Sequence, residues 1–174
     1  MKSMNFTGKS VLFGLLIMFF FTGVASAQDE VEEVTDEELR KYAIVEDSVQ
    51  RVLKSKTADF NDALRDAELM NGGRRYVEIK GAGEDEAKLA ELEVTEEEMA
   101  EYNGLRDMEL AIMTDVTELK KSLVTNDEIL GIPIYNKVNR LIKSDADVKA
   151  RLDVIMAAVV AENADEEDTA EDGE

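Results

Sequence analysis

The chain has 174 residues, of which 20 are basic and 40 are acidic, so its net charge at pH 7 is −20. It contains no cysteine and no histidine, which excludes disulfides, thiolate nucleophiles and imidazole chemistry. The excess of negative charge argues against binding to nucleic acid, because phosphates would repel such a chain. A chain of this length has room for one domain.

Residues 1–27 have the three-part layout of a secretory signal peptide. Two lysines precede an apolar run at residues 11–24, and Ala25-Ser26-Ala27 provides a small-x-small cleavage site. The run is shorter than the about 20 residues that a membrane-spanning helix needs, although an uncleaved N-terminal anchor is the alternative. We predict a secreted or periplasmic protein that begins at Gln28 and, lacking cysteine, is not a lipoprotein. Its net charge is then −22, from 18 basic and 40 acidic residues.

A capping pattern indicates where helices begin. At residues 35–38, the Thr35 hydroxyl can accept a hydrogen bond from the Glu38 backbone, and the Glu38 carboxylate can accept one from the Thr35 backbone. Acidic residues in the first turn also suit the positive end of the helix dipole. Residues 95–98 and 125–128 repeat the pattern. We predict a helix start at all three places, and an internal duplication is the alternative interpretation of the first two.

Apolar residues recur every three or four positions along the chain, which is typical of helices with one buried face. After an acidic lead-in at residues 28–34, the first helix is predicted from Thr35 to a glycine-rich stop at residues 71–73. A short helical stretch is predicted at residues 84–93. A long helix is predicted at residues 95–124.

Pro133 suits the first turn of the next helix, which is predicted at residues 134–143. Ser144 is the predicted cap of the last helix. Residues 163–174 are acidic and carry no apolar side chain larger than alanine, so we predict a disordered acidic tail. The predicted fold class is all-α, an elongated antiparallel helical bundle or hairpin of four to five helices, with the helical domain at residues 35–162.

Residues 74–83 lie between two glycine breaks and are predicted to be a connector. They include three basic residues, Arg74, Arg75 and Lys80, in an otherwise acidic chain. One interpretation is a contact for an anion or a partner. Charge balance against neighbouring carboxylates is the favoured interpretation, because most surface charges have that role.

The sequence contains no recognised catalytic arrangement. Ser–His–Asp and Cys–His centres and the common zinc sites need residues that the chain lacks, and no glycine-rich phosphate or dinucleotide loop occurs. Asp145-Ala146-Asp147 begins like a calcium-binding loop, but Lys149 occupies a ligand position and no glycine follows it. We predict a protein that is not an enzyme, and we assign no catalytic, cofactor-binding or metal-binding residue and no cofactor.

Three segments together resemble a bacterial exported helical family, domain of unknown function 4168. They are Thr-Asp-Glu-Glu-Leu-Arg-Lys-Tyr-Ala at residues 35–43, Tyr-Asn-Lys-Val at 135–138, and Ser-Asp-Ala-Asp-Val-Lys-Ala-Arg-Leu at 144–152. The family usually has proline where this chain has Ala146. The resemblance implies an exported helical protein and no particular reaction. The paired Val-Thr-x-x-Glu at residues 34–38 and 94–98 is also similar to the doubled L-T-x-x-Q of periplasmic helical chaperones and stress sensors.

These observations favour a non-enzymatic interaction protein of the cell envelope or the extracellular space. Its expected partner is another protein, with no nucleic acid and no membrane span after signal cleavage. A periplasmic holdase-type chaperone or stress-response protein is one alternative, and a weak calcium-dependent scaffold is another. Six side chains are predicted to pack in the core and not to form a site, namely Leu39, Tyr42, Val138, Leu141, Val148 and Leu152.

Overall fold

The structure is a computed structural model that describes the backbone of residues 33–171 and the side chains of residues 33–164, so the predicted signal peptide and residues 28–32 of the lead-in lie outside it. The described part contains helices and no strand. The α-helices are α1 (Asp36–Asp66), α2 (Arg74–Ala82), α3 (Glu86–Glu91), α4 (Glu96–Thr125), α5 (Ile132–Ser144) and α6 (Ala146–Glu171), and a 3-10 helix spans Glu68–Gly73. The predicted all-α fold is confirmed, but these residues form six α-helices where four to five were predicted.

Reciprocal capping begins α1 and α4. The Thr35 N–H donates to Glu38 Oε2 at 2.9 Å, and the Glu38 N–H donates to Thr35 Oγ1 at 3.2 Å. Thr95 and Glu98 form the same two bonds at 2.9 and 3.1 Å. Each first turn also places three acidic residues at the positive end of its helix. Both of these predicted helix starts are confirmed.

Two other predicted helix starts are wrong. Thr125 is the last residue of α4, and its hydroxyl donates to the Lys121 carbonyl at 2.8 Å. Ser144 ends α5, and Asp145 caps α6 by accepting bonds from two backbone N–H groups at 2.9 and 3.1 Å. The reason is the same in both cases. A threonine or serine hydroxyl can bond a carbonyl one turn back as well as an N–H one turn ahead, so the residue suits either end of a helix.

The first helix ends earlier than predicted. Ala67 is extended, with φ −70° and ψ 107°, and the 3-10 helix Glu68–Gly73 follows it. This tighter turn places Met70 in the core at 0 % exposure. Residues 71–73 then have positive φ, a conformation that their two glycines adopt readily. Helix α1 therefore breaks at Ala67, four residues before the predicted glycine stop at residues 71–73, and the chain after the break buries Met70.

Residues 74–82 form helix α2 and not the predicted connector. Tyr76, Ile79 and Ala82 recur at every third position and are all buried. Gly83, with φ 62°, ends the helix. The helix is only nine residues long, so it has too few apolar positions for their period to be recognised in the sequence.

Helices α1 and α4 are antiparallel, as predicted. Glu46 on α1 pairs with Lys120 on α4, with Nζ and Oε1 2.8 Å apart. Ten residues further along α1, Lys56 pairs with Asp115, also at 2.8 Å. The numbering therefore runs in opposite directions on the two helices. With 31 residues, α1 extends over about 46 Å at 1.5 Å per residue.

Helices α1 and α6 are parallel, an exception within the predicted antiparallel bundle. The Arg151 Nε donates to Asp36 Oδ1 at 3.0 Å near the start of both helices. The Asn163 Nδ2 donates to Asp47 Oδ2 at 2.6 Å, about three turns further along both α1 and α6. Helix α5 connects α4 to α6 in the chain. Helix α6 therefore runs in the same direction as α1 and opposite to α4.

The core consists of three apolar clusters along the α1–α4 pair. At one end, the start of α1 packs against α5, α6 and the last turns of α4. In the middle, α1 and α4 pack on each other through Val49, Ile112 and Val116. At the other end, the 3-10 helix and α2 cover the end of α1 and the start of α4. The first cluster contains all six predicted packing residues, Leu39, Tyr42, Val138, Leu141, Val148 and Leu152, which confirms their assignment.

Helix α6 continues to Glu171 and passes residue 163, where the sequence predicts that a disordered tail begins. The structure therefore places helix where disorder was predicted. Alanine and glutamate favour helix intrinsically. No glycine or proline occurs between residue 146 and Gly173, so nothing local ends the helix at residue 163.

Replacing a core leucine tests the first cluster. Leu39→Ala is expected to lower the free energy of unfolding by about 3 kcal/mol, because Leu39 is fully buried and its truncation leaves a cavity. The measurement is urea unfolding followed by circular dichroism. Ile44→Ala on the same helix is the control, since Ile44 is 41 % exposed and its loss is expected to cost less than about 1 kcal/mol. Equal losses for the two variants would contradict this core assignment.

Candidate functional site

The basic residues of α2 are tied to acidic residues of α4. The Arg75 guanidinium donates to both Glu98 oxygens, from Nε to Oε1 at 2.7 Å and from Nη2 to Oε2 at 3.0 Å. It also donates to the Leu92 carbonyl at 2.8 Å. Both side chains are only 17 % exposed. This bidentate ion pair joins α2 to the first turn of α4, where Glu98 also accepts the hydrogen bond from the Thr95 N–H that caps the helix.

A second tie lies about three turns further along α4, at Glu109. The Lys80 Nζ lies 2.6 and 2.7 Å from the two Glu109 oxygens, and the Tyr76 hydroxyl donates to Oε2 at 2.8 Å. Arg74 pairs within α2, with its Nε 3.2 Å from Glu78 Oε1. All three basic residues of the segment thus have a carboxylate partner. The interpretation of these residues as charge balance is confirmed.

These contacts change the acidity of the groups involved. Hydrogen bonds from Arg75, followed by the bond from the Thr95 backbone, lower the pKa of Glu98 from its ordinary value of 4.5 to about 2. Burial raises the pKa of Glu109, but the bonds from Lys80 and Tyr76 outweigh it, so its pKa lies below 4.5. Burial and the bond to Glu109 together raise the pKa of Tyr76. Both carboxylates are therefore charged at neutral pH.

A polar cleft of about 310 Å³ opens beside the first tie. Its lining residues are Leu69, Asn71, Arg74, Arg75, Glu78 and Glu98. The guanidinium and carboxylate groups of the lining are paired with one another. The cleft therefore has balanced charge, and it does not present the excess of positive charge that an anion site needs.

At the other end of α1, the buried carboxylate of Asp47 connects α1 with α6. Asp47 is 5 % exposed and is the only buried charged residue among those with described side chains. Its Oδ2 accepts a bond from Asn163 at 2.6 Å and pairs with Arg51 at 3.0 Å. The sequence did not distinguish Asp47 from the many surface carboxylates. Its position on the buried stripe, between Tyr42 and Val49, was the available signal.

The residues that resemble the start of a calcium loop act as a helix start. Asp145 uses one carboxylate oxygen to accept the N–H groups of Asp147 and Val148. Lys149 pairs with Asp153 at 3.0 Å one turn further on. Within the described residues, no group of three or more acidic side chains converges in a way that could hold a metal ion.

Helix α6 has an exposed apolar face opposite its packed one. The packed face carries Val148, Leu152, Ile155 and Val159. The opposite side, here called the outer face of α6, carries one valine and five alanines, all exposed, namely Ala146, Ala150, Val154, Ala157, Ala161 and Ala164. Their spacing of four, four, three, four and three residues places them in one stripe along the helix.

Val154 is the centre of this outer face. It is 71 % exposed, the highest value among the exposed large apolar residues of the described part. Residues 154–161 are all apolar, so α6 is apolar on both sides over two turns. No helix in the described part is long and apolar enough to cross a membrane. Small side chains allow a second helix to approach closely, so this face can accept a helix.

The remaining exposed large apolar residues are scattered. One lies on each of α1, the 3-10 helix, α2, α4, α5 and α6, and they are Ile44, Leu69, Val77, Leu110, Ile132 and Val160. Single exposed apolar residues are ordinary on protein surfaces. The outer face of α6 is therefore the apolar feature that most needs a functional explanation.

Comparison with known proteins gives no relative for this chain. No protein family model, no curated protein and no solved structure matches it. The resemblances noted in the sequence stay predictions.

Protonation of Glu98 is expected to remove stability in acid. Because its pKa in the folded chain, about 2, lies below the unfolded value of 4.5, its contribution is complete above pH 4.5 and is lost as the pH falls toward 2. Glu98→Gln retains an acceptor for the Thr95 N–H but loses the charge that pairs with Arg75. The variant should be less stable than the original chain at pH 7, and the difference should shrink below pH 4.5.

Urea unfolding at a series of pH values measures this difference. Glu97→Gln is the matched control, since Glu97 is an exposed residue in the same first turn and its substitution removes the same charge. Its stability difference is expected to be smaller at pH 7. A difference for Glu98→Gln that does not change between pH 7 and pH 3 would contradict the assignment.

Proposed function

We propose that the protein is exported and acts without catalysis, by binding a partner protein through the outer face of α6. The observation that carries this proposal is the exposure of Val154 within a continuous stripe of small apolar residues. A solvent-exposed helix normally presents polar residues opposite its packed face. Apolar residues on both faces are typical of a helix that is covered on both sides.

The proposed occupant of the outer face is a basic amphipathic helix. The apolar stripe fits the apolar face of such a helix, since alanines permit close packing. The net charge of −20 attracts a basic partner and opposes association with a second copy of the same acidic chain.

A synthetic 18-residue peptide with a leucine stripe and lysines elsewhere is the probe for this surface. Val154→Glu is expected to weaken its binding at least tenfold, because a charge in the centre of an apolar contact must lose water. Val77→Glu is the control. Val77 on α2 is 66 % exposed and its substitution adds the same charge, so binding should change less than about twofold. Fluorescence anisotropy of the labelled peptide measures both.

The possible results have distinct meanings. Equal effects of the two substitutions would show that the peptide responds only to net charge, and would overturn the proposal. Sedimentation equilibrium of the chain alone tests the other occupant. A dimer that Val154→Glu dissociates would show that a second copy covers the face, which also contradicts the proposed partner.

Export is the other part of the proposal, and its support is the layout of residues 1–27. Intact mass measurement of the exported protein is expected to give an N-terminus at Gln28. Ala27→Phe should block cleavage, because the last residue before the cut must be small. Ser26→Phe is the control and should be cleaved, since that position is not restricted. Full-length protein that stays in the cytoplasm would contradict export.

A holdase-type chaperone is the second candidate, because movement of α2 would expose the buried aromatic cluster that it covers. The Tyr76 ring lies 5.2 Å from the Tyr102 ring and 5.8 Å from the Phe60 ring, centroid to centroid. Suppression of aggregation of a model client at equal stoichiometry would support that role. Full aggregation of the client in the presence of the protein would remove it.

A further inference from the structure

Residues with positive φ lie at both ends of helix α2. Residues 71–73 precede it with φ of 47°, 60° and 91°, and Gly83 follows it with φ 62°. Gly73 also packs closely, since a Cβ there would lie 3.0 Å from Leu64 Cδ2. The backbone therefore turns at both ends of α2, where the Arg74 N–H bonds to the Met70 and Asn71 carbonyls and the Asp85 N–H bonds to the Ala82 carbonyl.

Side chains hold α2 in place. Tyr76 and Ile79 pack into the cluster at this end of the α1–α4 pair. The polar ties are those of Arg75 to Glu98 and of Lys80 and Tyr76 to Glu109. An isolated helix of nine residues is not stable in water, so α2 depends on these contacts.

The charged groups around α2 come from four elements. Helix α2 contributes Arg74, Arg75, Glu78 and Lys80, and α4 contributes Glu98, Glu101, Arg106 and Glu109. The 3-10 helix contributes Glu68, and α3 with its cap contributes Asp85 and Lys88. Glu101 accepts a hydrogen bond from the Leu69 backbone N–H at 2.9 Å, just before residues 71–73. Asp85 and Lys88 pair with each other at 3.5 Å. On the side of α1, the packed residues are apolar.

We propose that α2 is a cap that opens as a unit when Glu98 and Glu109 lose their negative charge, and that its opening exposes Phe60, Met70 and Tyr102. Protonation of the two carboxylates removes the ion pairs of Arg75 with Glu98 and of Lys80 with Glu109. Residues 71–73 and Gly83 act as the hinges. This proposal concerns the end of the α1–α4 pair that α2 covers, and it does not depend on binding at the outer face of α6.

The direction of the pH effect follows from the two carboxylates. Both have a pKa below 4.5 in the closed chain, so both stay charged at neutral and mildly acidic pH and the cap stays closed. As the pH falls below 4.5 toward about 2, protons bind and favour the open arrangement, in which the carboxylates are free in water. Glutamine at both positions should therefore favour opening already at neutral pH.

The chain contains no tryptophan, so a single substitution provides a local reporter. Phe60→Trp reports on the cap, because the Phe60 ring contacts Tyr76 edge to face at 5.8 Å. Tyr135→Trp reports on the opposite cluster, where Tyr135 stacks on Tyr42. During acid titration, the emission of the first reporter is expected to shift to the red before that of the second.

Glu98→Gln with Glu109→Gln, in the Phe60→Trp background, should shift the emission to the red already at pH 7, and the further shift below pH 4.5 should shrink because the two titrating groups are gone. The matched control is Glu97→Gln with Glu118→Gln, which removes two charges from exposed positions on α4 and should leave the emission at pH 7 unchanged. Equal shifts for the two double variants would overturn the proposal.

Hydrogen exchange on the unsubstituted chain provides a test that no variant can disturb. After correction for intrinsic rates, residues 74–82 should lose protection at a higher pH than residues 39–49. Loss of protection in both segments at the same pH would show that acid unfolds the domain as a whole, and α2 would then not be a separate cap.

Discussion

The antiparallel contact between α1 and α4 is the constraint on which the other contacts depend. On both helices the facing positions alternate by three and four residues, the spacing of a coiled-coil seam. Two ion pairs join α1 to α4 along this contact, Lys56 with Asp115 and Glu46 with Lys120, each at 2.8 Å. A shift of one turn along the seam would separate these pairs. The apolar positions bring the two helices together, and the polar ones fix their register.

The acidity of the chain serves local structure more than it serves any one site. Carboxylates open α1 and α4, where they satisfy backbone N–H groups and the helix dipole. Glu98 does this and also holds Arg75, so one side chain begins α4 and positions α2. Exposed ion pairs contribute little free energy individually. Together they favour one arrangement of the short helices on the long α1–α4 pair.

The predictable features were those set by residues close together in sequence. The capping patterns at Thr35 and Thr95 and the six core residues follow from local spacing, and the structure has them. The direction of α6 is visible in the contact of Asp47 with Asn163, which are 116 residues apart, and no local pattern encodes it. The outer face of α6 had a signal that was missed. Eight consecutive apolar residues at 154–161 leave no polar side for a surface helix.

The two ends of the α1–α4 pair differ in how they are closed, and this separates their functions. At the α6 end, a large apolar cluster joins four segments, so opening it would require loss of most of the core. At the α2 end, a nine-residue helix between hinge residues is held in part by titratable groups. The middle cluster of Val49, Ile112 and Val116 lies between them and keeps α1 and α4 paired. Movement of α2 can therefore leave α6 in place, because local stability in a protein varies from one packed unit to the next.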